Sequence, residues 1–147
     1  MKTKNIISFL SKITLAPGKI EQILLKKTDT GFTCKVNEGT VRVVAECLDP
    51  EINQIEATGL AVMEASKMGK ILGILSEDCT VTVKESKQGD PIALTFADAS
   101  NTTAKVVLGS MLTFTEEPWM SKQLAPASTA LVRLTLQPQI QDKINKA

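Results

Sequence analysis

Twice within its first 112 residues the chain breaks into three consecutive short runs in which apolar and polar residues alternate. Alternation with period two is the pattern of a half-buried strand. Short turn-forming stretches between the runs make consecutive strands antiparallel neighbours. The first triplet covers residues 19–27, 32–36 and 41–48, punctuated by "TDTG" at 28–31 and "NEG" at 37–39. Phe32, Cys34 and Val36 fall on one face, with Thr33 and Lys35 on the other, and Val41, Val43, Ala45 and Cys47 share a face of the third run. The second triplet covers residues 79–85, 92–97 and 103–112, split by "KQGDP" and "DASN". In its first run Cys79, Val81 and Val83 alternate with Thr80, Thr82 and Lys84.

A helical pattern precedes each triplet. Ile6, Ile7, Leu10 and Ile13 are spaced for one helix face over residues 5–13, which Pro17 and Gly18 close. Over residues 66–75, Met68, Ile71, Leu72 and Leu75 point inward. A leading strand is expected ahead of each helix, at residues 1–4 and at 55–63, the latter with Ala57, Gly59 and Ala61 on one face. The plan of strand, helix and three-strand meander therefore occurs twice, as a repeat of pattern with little residue identity. Neither helix is long enough to stand alone, so the two units are expected to bury their sheets and helices against each other in one α+β domain.

Composition then changes. "FTEEPWMSKQLAPASTA", residues 114–130, reads as a connector. "LVRLTLQPQIQDKINKA" reads as a strand over 131–136 and a helix beginning near Pro138, with Ile140 and Ile144 on one face. The expected organisation is a domain over 1–113, a connector over 114–130, and the start of a second, incomplete unit over 131–147.

The function classes are narrowed mainly by what the chain lacks. With 17 basic and 16 acidic residues, it does not grip nucleic acid by general basicity, though a local basic face is compatible with that balance. There is no apolar run of 18 residues to form a membrane span. Lys12 and two serines interrupt the N-terminal apolar residues that a secretion signal would need. A cytoplasmic location is expected, in a bacterial or phage-infected cell. Cys34, Cys47 and Cys79 match no metal spacing, are odd in number and sit at apolar alternating positions, which fits buried thiols acting as small hydrophobes. Histidine and tyrosine are absent, and no phosphate-binding loop or nucleophile motif occurs. Glu116 and Glu117 fall in a loop-like stretch and read as solvated. The expectation is a non-enzymatic protein without metal or cofactor.

Two groups of residues stand out for binding. Lys67 and Lys70 lie three apart on one face of the second helix, opposite Met68, Ile71, Leu72 and Leu75, while Gly69 and Gly73 give that helix a low profile. Lys4 and Lys12, with Ser8 between them, repeat the arrangement on the first helix. Read alone, such lysines are simply a solvated face. In the connector, Trp119, Met120 and Leu124 form a candidate partner site, with a packing anchor as the plainer reading of a single tryptophan.

The order of elements, together with "GKILGILSEDCTVTV" at 69–83 and "DPIALTFADAS" at 90–100, resembles the DNA sliding clamps. The likeness is to the processivity clamps of T4-like phages, within the wider family that includes proliferating cell nuclear antigen. It covers residues 1–115 by element order and residues 69–100 by residue type. The resemblance implies a clamp-like fold with antiparallel sheets outside and the two helices on one face, lining a hole through which duplex DNA passes. It places Lys4, Lys12, Lys67 and Lys70 toward DNA, held weakly and without sequence preference. It further implies self-association through edge strands, and DNA polymerase and clamp loader as partners, docking by short peptides beside the connector near Trp119, Met120 and Leu124. The alternatives are a viral or cellular assembly protein built from similar meanders, and a small-ligand-binding β-rich domain with an enclosed apolar pocket.

Overall fold

The computed structural model describes residues 1–14, 19–38, 41–47, 51–52, 55–117 and 120. A first unit spans Met1–Phe114, and the chain from Thr115 onward belongs to a second. Trp119, Leu124 and the strand and helix expected over 131–147 lie outside the described residues.

The first unit contains α1 (Thr3–Thr14), β1 (Ile23–Thr28), β2 (Gly31–Glu38), β3 (Val41–Cys47), β4 (Gly59–Val62), α2 (Ala65–Leu72), β5 (Cys79–Glu85), β6 (Pro91–Asp98) and β7 (Thr103–Val107). Amphipathic spacing explains both helices. In α1 the buried apolar side chains are Ile6, Phe9, Leu10 and Ile13, and Lys4, Asn5, Ser8, Ser11 and Lys12 are exposed opposite them. Phe9 is thus buried, and Ile7, expected on that face, is only half-buried. In α2 the buried stripe is Ala65, Met68 and Leu72, continued by Leu75 just beyond the helix, while Ile71, expected inward, is only half-buried. The expected inward face of β2, Phe32, Cys34 and Val36, is buried, and β5 alternates as its sequence requires.

The strands form two antiparallel sheets, ordered β3-β2-β1-β4 and β5-β6-β7. β1 and β2 pair up to Thr28 opposite Gly31, leaving a two-residue turn. In the β5–β6 turn Gly89 takes φ +87°, which a glycine tolerates without strain. Asn101 takes φ 60° after β6, the left-handed region that asparagine visits more readily than most residues. Asp98 organises that second turn by accepting from the backbone N–H groups of Ser100 and Thr102, both at 2.9 Å.

The two halves exchange their leading segments. β4, which precedes α2, pairs with β1 of the first half, with Ile23 opposite Val62 and Leu25 opposite Leu60. The residues before α1 pair instead with the start of β5 in the second half, where Lys2 bridges Asp78 and Cys79 N–H donates to Met1 C=O at 3.0 Å. The match extends to the helix starts. Thr3 N–H donates to Glu77 C=O, and Ala65 N–H donates to Glu21 C=O, both at 2.9 Å. Each donor is the first residue of its helix, and each acceptor lies two residues ahead of the opposite half's first meander strand. α1 packs against α2 and β3, and α2 also touches β7. A common core gathers Phe9, Leu10 and Met68 from the helices, Leu25 and Phe32 from one sheet, and Leu94 and Phe96 from the other.

Several boundaries differ from the sequence reading. The strand expected over 19–27 begins only at Ile23, and the helix expected over 66–75 ends at Leu72. The strand expected over residues 1–4 is a single bridge at Lys2, because Thr3 already opens α1. The strand expected over 55–63 shortens to Gly59–Val62. Before it, Ile55 N–H donates to Ile52 C=O and Ala57 N–H to Ile55 C=O, local bonds that divert the backbone from a ladder. The strand expected over 103–112 stops at Val107. Leu108 then bridges Val62, Gly109 N–H donates to Ala61 C=O at 2.8 Å, and the Ser110 hydroxyl caps a 3-10 turn over Met111–Thr113.

Candidate nucleic-acid interface

The nearly even charge of the chain is not evenly distributed. The helical segments "TKNIISFLSKIT" and "ASKMGKIL" carry Lys4, Lys12, Lys67 and Lys70 and no acidic residue. All four lysines are exposed, on the faces that the buried stripes leave to solvent. Lys12 and Lys70 lie in the last turns of α1 and α2, where a cation complements the negative end of the helix dipole. Gly69 adds nothing to that surface, and a methyl placed on it would meet no atom within 4 Å.

Carboxylates from outside the helices modify this surface. Lys4 Nζ lies 3.0 Å from Glu77 Oε1, and Lys67 Nζ lies 2.8 Å from Glu64 Oε2. Among the described residues neither Lys12 nor Lys70 takes part in an ion pair. The lysine nearer the start of each helix is thus paired and, among the described residues, the one in each last turn is not. Exposed pairs of this kind are worth about 0–1 kcal/mol, so a phosphate can compete for either lysine. Beside them Lys2 Nζ donates to Asp78 Oδ2 at 2.7 Å, just ahead of α1. The hydrogen bond from Lys4 holds the Glu77 carboxyl below its ordinary value, and the bond from Lys2 does the same for Asp78.

Glu64 and Glu77 were not singled out in the sequence. Glu64 was legible, since a glutamate three residues before Lys67 is a helical pair by spacing alone. Glu77 was not, because 73 residues separate it from Lys4 and only the exchanged leading segment brings them together. Of the connector candidates only Met120 is described; it is half-buried, and its N–H donates to Glu117 C=O.

Cys34, Cys47 and Cys79 are all buried and form no disulfide, and burial pushes the Cys34 thiol up to about 12. Among the described residues no three His, Cys, Asp or Glu side chains converge to hold a metal. The apolar space inside the core, lined by Phe9, Phe32, Met68, Leu94 and Phe96 among others, measures about 20 Å³. That is close to the minimum for one water molecule, and an apolar space of that size stays dry. An open groove of about 680 Å³ lies between the turn after β1 and the end of β5, lined by Lys27, Asp29, Glu56 and Glu85 among others. Lys27 Nζ there donates to the Ile55 carbonyl at 2.7 Å. No helix among the described residues is long and apolar enough to cross a membrane.

No protein-family model and no curated protein matches the chain.

Proposed function

We propose that this chain is a sliding-clamp subunit or part of one, a non-enzymatic processivity factor that encircles duplex DNA when assembled and tethers replication enzymes to it. The observation that carries this reading is the exchange of leading segments between two strand-helix-meander halves. That exchange sets α1 beside α2, and with them the four lysines of two acid-free helices. A surface that slides needs weak, phosphate-directed contacts without base readout. Exposed lysines, two of them already in loose ion pairs, supply contacts of that strength.

Self-association through edge strands is part of the proposal. β3 and β7 are terminal in their sheets, and Val107 on β7 is 70% exposed. An unpaired edge with an exposed apolar side chain is a template for another chain. DNA polymerase and a clamp loader are the proposed partners, in the cytoplasm of a bacterial or phage-infected cell. Against the small-ligand reading stands only that, among the described residues, the apolar core space measures about 20 Å³ and admits no organic ligand.

Threading onto DNA tests the proposal. The full chain at micromolar concentration is incubated with linear duplex, the ends are blocked with streptavidin, and the complex is washed in high salt. A clamp is retained on DNA blocked after loading and lost from DNA with open ends. Equal retention on both, or none on either, overturns the reading.

A further inference from the structure

Four exposed lysines lie on two neighbouring helices, and two of them are paired with carboxylates in a regular way. Glu64, next before α2, reaches Lys67 at 2.8 Å, and Glu77, next to Asp78 ahead of β5, reaches Lys4 at 3.0 Å. Both lysines lie near the start of their helices. The carboxylates come from different local structures, one from the same helix cap and one from the other half of the fold. Each nevertheless has the same effect on its helix, because it pairs one of two cations, while the last-turn lysine has no ion pair among the described residues.

Resting on the reading that these helices face duplex DNA, we infer that Glu64 and Glu77 act as paired brakes on phosphate binding, keeping Lys67 and Lys4 from adding full contacts so that the surface slides rather than grips. A phosphate approaching either lysine must displace a carboxylate and meets its charge at close range. Both pairs are exposed, with side-chain exposures of 60–69%, so the carboxylates exchange readily with solvent and phosphate. The brake is therefore graded, and its strength falls as salt screens it.

The test uses the full chain and a fluorescent 30-base-pair duplex, with affinity measured across a salt series. Glu64→Gln and Glu77→Gln are each expected to tighten binding by about 3–10-fold at low salt. Each is also expected to steepen the slope of log K against log salt by about 0.9, the value for one additional phosphate contact. Glu85→Gln, at the far end of β5 from Glu77, makes the same change in net charge without touching a helix lysine, and is expected to shift the slope little. In a Lys67→Gln background the gain from Glu64→Gln should vanish, since the brake acts through that lysine.

If the parent chain binds duplex and neither glutamine variant tightens it, this inference fails and the DNA reading stands. If Glu85→Gln does as much as Glu64→Gln, or if the gain persists without Lys67, the effect is general repulsion and the inference is overturned. If the parent and all variants fail to bind, both fall.

Discussion

The backbone N–H of Thr3 donates to the carbonyl of Glu77 at 2.9 Å, joining the first residue of α1 to a residue 74 positions later. The Thr3 hydroxyl lies 3.1 Å from both the Ser76 and the Glu77 carbonyls and shares its proton between them. Thr3 is one of two buried polar residues among those described. The first helix is thus clipped at its start to the second half of the fold, as α2 is clipped through Ala65 to Glu21.

Replacing Thr3 by valine keeps the shape and removes the shared donor at a part-buried site, leaving the Ser76 and Glu77 carbonyls less well satisfied. Thr3→Val is expected to cost about 1 kcal/mol, read as a lower urea midpoint with an unchanged slope. A midpoint equal to that of the parent protein would show that the hydroxyl is not part of the clip.

Stability should depend on pH at the acid end. Hydrogen bonds from Lys4 and Lys2 hold the Glu77 and Asp78 carboxyls below their ordinary values of 4.5 and 3.8, and the Ser76 backbone N–H lowers Asp98 in the same way. Each folded value lies below the unfolded one. The stabilisation is therefore complete above the ordinary values and is lost as the pH falls through the folded ones. The urea midpoint is expected to be flat from neutrality to about pH 5 and to fall below that, with a shallower fall in Asp98→Asn. At the alkaline end the sign reverses for Lys2, which its bond to Asp78 raises above 10.5. Its contribution is complete below 10.5 and fades as the pH rises through the higher folded value.

The Cys34 thiol, pushed by burial from 9.0 up to about 12, should not react with iodoacetamide at pH 8 in the folded protein. All three cysteines are buried, so intact-mass measurement is expected to find no adducts until denaturant is added, and then three. Above pH 9 the unfolded thiol ionises while the folded one does not, so this group lowers stability as the pH rises.

Two glycines should respond oppositely to alanine. A methyl on Gly59 would meet Met111 Sδ at 2.8 Å and the Leu25 backbone carbonyl at 3.1 Å. The sulfur can move, but the carbonyl belongs to the β1–β4 ladder and cannot. Gly69, inside α2, has open space around the same position, and alanine there removes an entropic penalty of about 0.5–1 kcal/mol. Thermal unfolding should show Gly69→Ala above the parent protein and Gly59→Ala below it.

Local chemistry made much of the fold legible. β5 runs from Cys79 to Glu85 as its alternation dictates, and the buried stripes of both helices follow their apolar spacing. Period and turn residues act over neighbouring positions, so a sequence carries them openly. The pairing of Glu64 with Lys67 was readable for the same reason.

What the sequence left open was decided by contacts between distant segments. Strand propensity over residues 55–63 could not reveal that only Gly59–Val62 would find a partner in β1. Nor could it reveal that Lys2 would bridge Asp78, which makes Glu77 the acid that meets Lys4. A strand ends where its neighbour stops offering hydrogen bonds, and an ion pair forms where the backbone brings two side chains together. The sequence by itself determined most of the residues that turn inward, though not Phe9 in place of Ile7, and which helices carry only positive charge. The tertiary structure alone decided which half each leading segment joins, and so which of those charges are paired.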